Sequence, residues 1–498
     1  MYNSMKRSGW YENTVFYEIY VPSFCDGDGD GTGDLKGVIS RIPYLRQLGI
    51  SGIWLTPFYP SPRVDNGYDI RDYRNVDPAF GTLADFDMLL RKAHQAGIRV
   101  IIDMVLNHTS DLHPWFQESR RSAHSPYRDY YLWEKEIPCN WESFFDGSAW
   151  EYDDTAGMYY YHAFSRNQVC LNWSSPQVRR ECADILRFWL DRGVDGFRLD
   201  VINFLKTDRG AFHADNPVEN GVTRHVYDKN QKGIYEAIRE ISRVVHAYPG
   251  KYLLGEIGED DLCLIKSYVG DGLLDSAFQF NLGSMEKLDA AFMADQMRRM
   301  EAEGVYPTLF FSSHDMRRHF NRLCGKDRTK AELLAVFLLS AKGIPFLYQG
   351  EEIPMEDVPV ESLRDLKDIQ GRYGYDKKLA EGESEEAAFL YARERSRDYS
   401  RGMVEWEREG DRDFLARAYR KLLDIRKRHL SLSIGEYGEI RQQDGLLYYQ
   451  RIWEKEKIGV YLCFDGHSPE LPHTDVLYEV KDGNGRTRGI MRYEQEIG

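Results

Sequence analysis

No stretch of this 498-residue chain approaches the roughly 18 apolar residues that a membrane-spanning helix needs, so no membrane partner is implied. The opening residues, Met-Tyr-Asn-Ser-Met-Lys-Arg-Ser-Gly-Trp, lack an apolar run of signal-peptide length, and a cytoplasmic location is the expectation. Cysteine is sparse. Cys25, Cys139, Cys170, Cys182, Cys263, Cys324 and Cys463 are odd in number, far apart and without a CxxC pair, which fits reduced thiols and no zinc site. Positive charge is in deficit, with 65 Lys and Arg against 80 Asp and Glu and a net charge of −15, so the basic clustering that a nucleic-acid partner requires is missing. Internal repeats are absent as well, and a monomer is the expectation.

What is present is a globular composition, 42% hydrophobic and 13% aromatic, in a chain long enough for a barrel with additions. Strand-like apolar runs fall near residues 15–20, 52–55, 100–105, 196–200, 252–256, 276–280, 308–312 and 344–348, with amphipathic stretches such as 83–96 and 176–192 between them. That alternation predicts an α/β fold, a (β/α)8 TIM barrel. Residues 107–175 are rich in Trp, Tyr, Ser and Asp with little helical period, and read as a small domain inserted after strand 3. From about residue 436 short alternating runs point to a C-terminal antiparallel β domain. The expected organisation is therefore barrel over 1–106, insertion over 107–175, barrel again over 176–435, and β domain over 436–498. The charge run at 381–386 reads as a solvated helix start.

Asp103, Asp200, Glu256 and Asp315 are each preceded by a short strand-like run. In a parallel barrel the C-terminal strand ends meet at one rim, so these residues converge there. Clustered carboxylates in one pocket suit glycosidic chemistry, in which a retaining enzyme needs one ionised nucleophile and one protonated acid about 5 Å apart. Arg198, two residues before Asp200, shares its strand face and is expected to keep Asp200 ionised, whereas Glu256 follows Leu-Leu-Gly and is expected to be kept protonated by apolar surroundings.

The segments Asp103-Met-Val-Leu-Asn-His108, Gly196-Phe-Arg-Leu-Asp200, Gly255-Glu256 and His314-Asp315 resemble the signature regions of the α-amylase superfamily of glycoside hydrolases. Asp65-Asn-Gly-Tyr-Asp69, Ser148-Ala-Trp150, Leu171-Asn-Trp173 and Ser396-Arg-Asp-Tyr-Ser-Arg401 resemble its oligo-1,6-glucosidase and α-glucosidase branch. The resemblance covers residues 9 to 430 and implies Asp200 as nucleophile, Glu256 as general acid and base, and Asp315 as transition-state stabiliser. It implies that His108 and His314 donate to glucose hydroxyls, that Arg198 orients the nucleophile, and that Asp69 and Arg401 grip the terminal 4-OH, closing the pocket for exo action. Tyr68, Phe145 and Phe164 match aromatic positions of the same subsite. Val201 resembles the residue of α-1,6-acting members, where α-1,4-acting maltases carry Thr or Ala. The implied substrate is a small oligosaccharide such as isomaltose or panose. Transferases, sucrose or trehalose isomerases, trehalose-6-phosphate hydrolases and non-catalytic sugar binders share the resemblance.

The run Asp26-Gly-Asp28-Gly-Asp30-Gly-Thr32-Gly-Asp34 alternates oxygen ligands with glycines in the manner of an EF-hand loop, but position twelve is Gly37 rather than a bidentate Glu. The resemblance implies a structural Ca2+ here, or Mg2+ in its place, held by Asp26, Asp28, Asp30 and Asp34 with the Thr32 carbonyl. The sequence departs from the family pattern at Cys170, which replaces an acidic residue expected near the substrate, and at Ser313, Met316, Arg317, Met403 and Glu405. Met316-Arg317-Arg318 stands where the family reads Gln-Pro-Arg. These changes are expected on the aglycone side.

Overall fold

The computed structural model describes residues 9–406, 413–465 and 474–494. Eight short strands, β1 (Phe16–Ile19), β2 (Gly52–Leu55), β3 (Arg99–Met104), β4 (Gly196–Leu199), β5 (Tyr252–Gly255), β6 (Ser276–Ala277), β7 (Thr308–Leu309) and β8 (Ile344–Tyr348), form one parallel sheet. Its order is 6-5-4-3-2-1-8-7. Between β6 and β7 the ladder is replaced by one side chain: Thr308 Oγ1 donates to Ala277 O (3.4 Å) and accepts from Gln279 N (3.2 Å). The barrel expected from the sequence is thus present, with all eight strands at the expected places.

The strands are buried on both faces, and alternate residues separate into two cores. Phe16, Trp54, Ile101, Tyr252, Leu254 and Phe346 fill the barrel interior, with Phe16 stacked on Phe346 at 4.7 Å. Their neighbours Tyr17, Ile53, Ile102, Phe197 and Leu253 face the outer helices. Gly196 opens β4 because an added Cβ would lie 2.0 Å from Tyr252 O.

After β3, strands Trp133–Glu134, Met158–Tyr161 and Trp150–Asp153 make a small sheet around a core that includes Trp141, Trp150 and Tyr161. Beyond β8, helices Ile369–Ala380 and Glu385–Arg395 pack as a hairpin that the sequence reading did not place. The second begins at the charge run as expected, capped by Ser384 accepting from Ala387 N. Strands β9 (Glu436–Gln443), β10 (Leu446–Trp453), β11 (Glu456–Cys463), β12 (Val476–Lys481) and β13 (Thr487–Tyr493) form the expected antiparallel sheet. Buried Arg451 on β10 ties it to the barrel through the carbonyls of Ser340, Leu432 and Gly435. All seven cysteines are free thiols, and among the described residues no helix is long and apolar enough to cross a membrane.

Candidate active site

Strand register places the first cluster. Asp103 pairs across the ladder with Arg198, and Arg198 with Leu254, so Asp200 and Glu256 leave their strands side by side on the interior face. The buried Arg198 guanidinium reaches all three carboxylates: Nη1 lies 2.7 Å from Asp103 Oδ1 and 2.5 Å from Asp200 Oδ1, and Nη2 lies 2.6 Å from Glu256 Oε2. Burial pushes the Asp200 carboxyl well above the ordinary range, and Glu256 and Asp103 add to it; Arg198 opposes the shift without cancelling it, so the ionised Asp200 expected from the sequence is not secured by Arg198 alone and is a requirement of the attack rather than a resting state. Burial also raises Asp103, against Arg198. The expected apolar setting of Glu256 is not what the fold provides. Its Oε2 accepts from both Arg198 and Val201 N (3.1 Å), because the planar fork spans neighbouring strand ends. Val201 adopts φ 37°, ψ 47°, a left-handed conformation costly for a β-branched residue.

The second cluster surrounds Asp315, which opens to the cleft. Its Oδ1 accepts from Arg401 (2.8 Å) and Arg397 (3.2 Å), and its Oδ2 lies 3.1 Å from His314 Nε2. Burial acts to raise Asp315, but His314, Arg397 and Arg401 outweigh it and hold the carboxyl well below the usual range. His314 is clamped from the other side by Glu18 Oε1, 2.5 Å from Nδ1. Burial would lower its pKa, yet Asp315 and Glu18 raise it to about 9. Tyr68 joins the clusters, donating to Asp103 Oδ2 (3.0 Å) with its hydroxyl 2.7 Å from His314 Nε2.

That clamp makes stability depend on pH. The folded pKa lies above the unfolded value of about 6.5, so the contribution is fully present below pH 6.5 and is lost as pH rises through 9. A shift of this size is worth on the order of 3 kcal/mol. Urea midpoints of wild type should fall between pH 6.5 and 9.5 more steeply than those of His314→Gln; equal slopes would refute the coupling.

The expected Asp69 and Arg401 pair is not formed. Asp69 is fully buried and accepts from Val64 N (2.9 Å), Asp65 N (3.0 Å) and Ser61 Oγ (3.0 Å), so its carboxylate is consumed by its own turn, and burial raises it to about 6. Asp65, four residues earlier, instead meets Arg397 Nη2 at 2.6 Å, and Asp368 shares that guanidinium at 2.6 Å. Arg401 remains in the site through Asp315 and by donating to His314 O. Asp65 and Arg397 lay inside the quoted motifs; sequence alone offered two aspartates and two arginines without saying which pair meets. Glu18 and Asp368 carried no signal of that kind.

His108 is buried, and burial lowers it to about 3, so it is neutral; its Nε2 lies 3.2 Å from Tyr68 O and 3.0 Å from Gln168 Nε2. Phe164 meets His108 edge-on at 5.8 Å, and Phe145 packs against Phe164 at 5.5 Å and under Arg397 at 5.3 Å. Cys170 is not beside the cleft. It is fully buried in the insertion core, its sulfur accepting from Ala163 N (3.2 Å), and burial pushes its thiol up to about 11.

In the acidic loop, carboxylate oxygens of Asp26, Asp28 and Asp34 lie within 4.8 Å of one another, a donor set suited to a hard cation. Asp30 stands outside this group and accepts from Thr32 N at 2.7 Å. Asp34 also caps helix Leu35–Leu48 through Gly37 N.

Residues 18–453 match the α-amylase catalytic domain. An oligo-1,6-glucosidase of Parageobacillus thermoglucosidasius is 36% identical, the alignment covering 95% of this chain and 94% of that protein. A trehalose-6-phosphate hydrolase of Bacillus subtilis is 34% identical over 95% and 92%. Among solved structures, a trehalulose synthase superposes with TM-score 0.89 at 29% identity, covering 98% of this chain and all of that one.

Proposed function

This chain belongs to the α-amylase family of glycoside hydrolases, and from that premise we propose that it is a retaining exo-α-glucosidase releasing glucose from short α-1,6-linked oligosaccharides. The observation that carries the reading is the single Arg198 guanidinium holding Asp200 and Glu256 together beside Asp315. Asp200 attacks the anomeric carbon while Glu256 gives its proton to the leaving oxygen; Glu256 then takes a proton from water, which releases α-glucose. The charge around Arg198 is the same before and after the first step, since Asp200 loses its negative charge in the ester as Glu256 gains one. Asp103, fully buried, acts through Arg198 rather than on sugar. Asp315, kept ionised, faces the positive charge that develops on the glucosyl ring. The Asp65, Arg397 and Asp368 network, roofed by Phe145, closes the non-reducing end and supports exo action.

A phosphorylated substrate would need clustered basic side chains beside the pocket, for which Arg317, Arg318 and Arg322 are the candidates, and two of the three are already engaged while Arg317 lies over the Tyr399 ring. Arg318 is buried against the carbonyls of Gln349 and Ser400, and Arg322 against those of Gly283 and Phe311. The α-1,6 preference follows the curated relatives and Val201. Glucose release should be fast from isomaltose and panose and slow from maltose, sucrose and trehalose; faster release from maltose than isomaltose would refute the linkage.

Asp26, Asp28 and Asp34, with Asp30 and the Thr32 carbonyl nearby, would hold Ca2+ or Mg2+ as a structural ion that neutralises the loop's charge. Addition of Ca2+ to chelator-treated protein should raise Tm by several degrees; identical Tm with chelator and with Ca2+ would exclude it. Seven free cysteines fit a reducing cytoplasm.

A further inference from the structure

The strand ends that carry Asp200 and Glu256 are tied together twice. The direct tie is the turn after β4, where Val201 N donates to Glu256 Oε2 (3.1 Å) and Ile202 N donates to Glu256 O (3.2 Å). The second tie passes through Asn230, at the far end of the excursion that leaves β4 and returns before helix Ile234–His246. Asn230 N donates to the carbonyl of fully buried Asn203 (2.8 Å), and Asn203 Nδ2 donates back to Asn230 Oδ1 (3.3 Å). Asn230 Nδ2 then donates to Glu259 Oε1 (2.6 Å), on the loop after β5, an oxygen that also meets Lys229 Nζ at 2.7 Å. The buried Tyr268 hydroxyl donates to Asn230 Oδ1 (2.6 Å), so every polar atom of the amide is used. Held at both ends, residues 201–204 keep Val201 left-handed, a conformation that persists in such a residue only where its surroundings over-determine it.

Glu256 is thereby left with unlike oxygens. Oε2 accepts from Arg198 and from Val201, while Oε1 makes no hydrogen bond or ion pair with another described residue. A proton on Oε2 would face two N–H donors, so it belongs on Oε1. We propose that Glu256 gives and takes its proton at Oε1, and that Asn230 is the positioning residue that keeps this oxygen in place through the 201–204 turn. The inference rests on the glucosidase reading above. In the first step the glycosidic C–O bond breaks, Asp200 forms the ester, and the leaving oxygen takes the Oε1 proton. Without the Asn230 amide the turn relaxes, Val201 N–H leaves Oε2, and Glu256 no longer aims one fixed oxygen at the bond.

The test sets kcat/KM on α-glucosyl fluoride, whose leaving group needs little protonation, against kcat/KM on whichever oligosaccharide wild type cleaves fastest. Asn230→Gly removes the amide and suits the φ of 50° at this position, so it adds no backbone strain. It should lose on the order of 10- to 100-fold on the oligosaccharide and stay within about threefold of wild type on the fluoride. Glu259→Ala, which frees Asn230 from the β5 side, should show the same split. Glu259→Gln, whose amide oxygen still accepts from Asn230, should recover most of the loss. An equal fall on both substrates, no fall on either, or a Glu259→Gln as deficient as Glu259→Ala would overturn the inference alone. No turnover of glucosyl fluoride by wild type would overturn the glucosidase reading and this inference with it.

Discussion

Asp200→Asn should lower kcat/KM on isomaltose by on the order of 10⁴-fold or more, because an amide cannot form the glucosyl ester and no other described carboxylate on the Arg198 fork is placed to replace it. Asp103 shares the guanidinium but is fully buried, and Glu256 is needed as acid. Glu256→Gln should behave differently. Fluoride needs little protonation to leave, so this variant should still be glucosylated by glucosyl fluoride and then stall, since the amide that replaces the carboxylate cannot activate water. Intact mass should show a covalent glucosyl adduct in Glu256→Gln and none when Asp200→Asn is added. Substantial isomaltose turnover by Asp200→Asn, or an adduct that survives the double change, would remove Asp200 from the nucleophile role.

Arg198→Leu should be the most destabilising single change in the site. It leaves the carboxyls of Asp103, Asp200 and Glu256 together without their shared cation, and removing one partner from a buried ion network typically costs about 3–5 kcal/mol. The sign with pH follows. Burial already raises Asp103 and Asp200 against Arg198, so without Arg198 these two titrate still higher in the folded than in the unfolded protein, and the penalty grows as pH rises above the unfolded carboxylate pKa of about 4. Urea unfolding should therefore show a larger deficit at pH 7 than at pH 5. Arg198→Lys should recover only part of it, because an ammonium lacks the fork that spans three carboxylates. A variant within about 1 kcal/mol of wild type at pH 7 would mean that the cluster is solvated rather than charge-compensated.

How far the site was legible in the sequence differs from residue to residue. Strand placement was legible because doubly buried parallel strands leave apolar runs, and a residue just past such a run can stand only at the rim. Asp200 and Glu256 directly follow β4 and β5, Asp103 stands next to the end of β3, and Arg198 lies within β4, its parity with Asp200 following from the two-residue strand period; Asp315 lies six residues beyond β7. Residues on turns were harder. In Asp65-Asn-Gly-Tyr-Asp69 both carboxylates are plausible sugar ligands, and which one is engaged by its own backbone depends on the turn's geometry. Arg397 and Arg401 differ by four positions in one loop, and only packing against Asp65, Asp368 and Asp315 separates them. Cys170 misled for the same reason: the residue's place in a motif did not reveal that it points into the core of the insertion.

By itself, then, the sequence determined the barrel, the insertion, the C-terminal sheet and the carboxylates at the strand ends, because burial and strand period are written locally along the chain. The tertiary structure alone decided the charge network. That one arginine serves three carboxylates, that Glu18 and Asp315 clamp His314, and that Arg397 joins Asp65 to Asp368 are facts about distances between segments as many as 332 residues apart. Electrostatic interaction depends on those distances and on burial, and neither is encoded in any one stretch of chain.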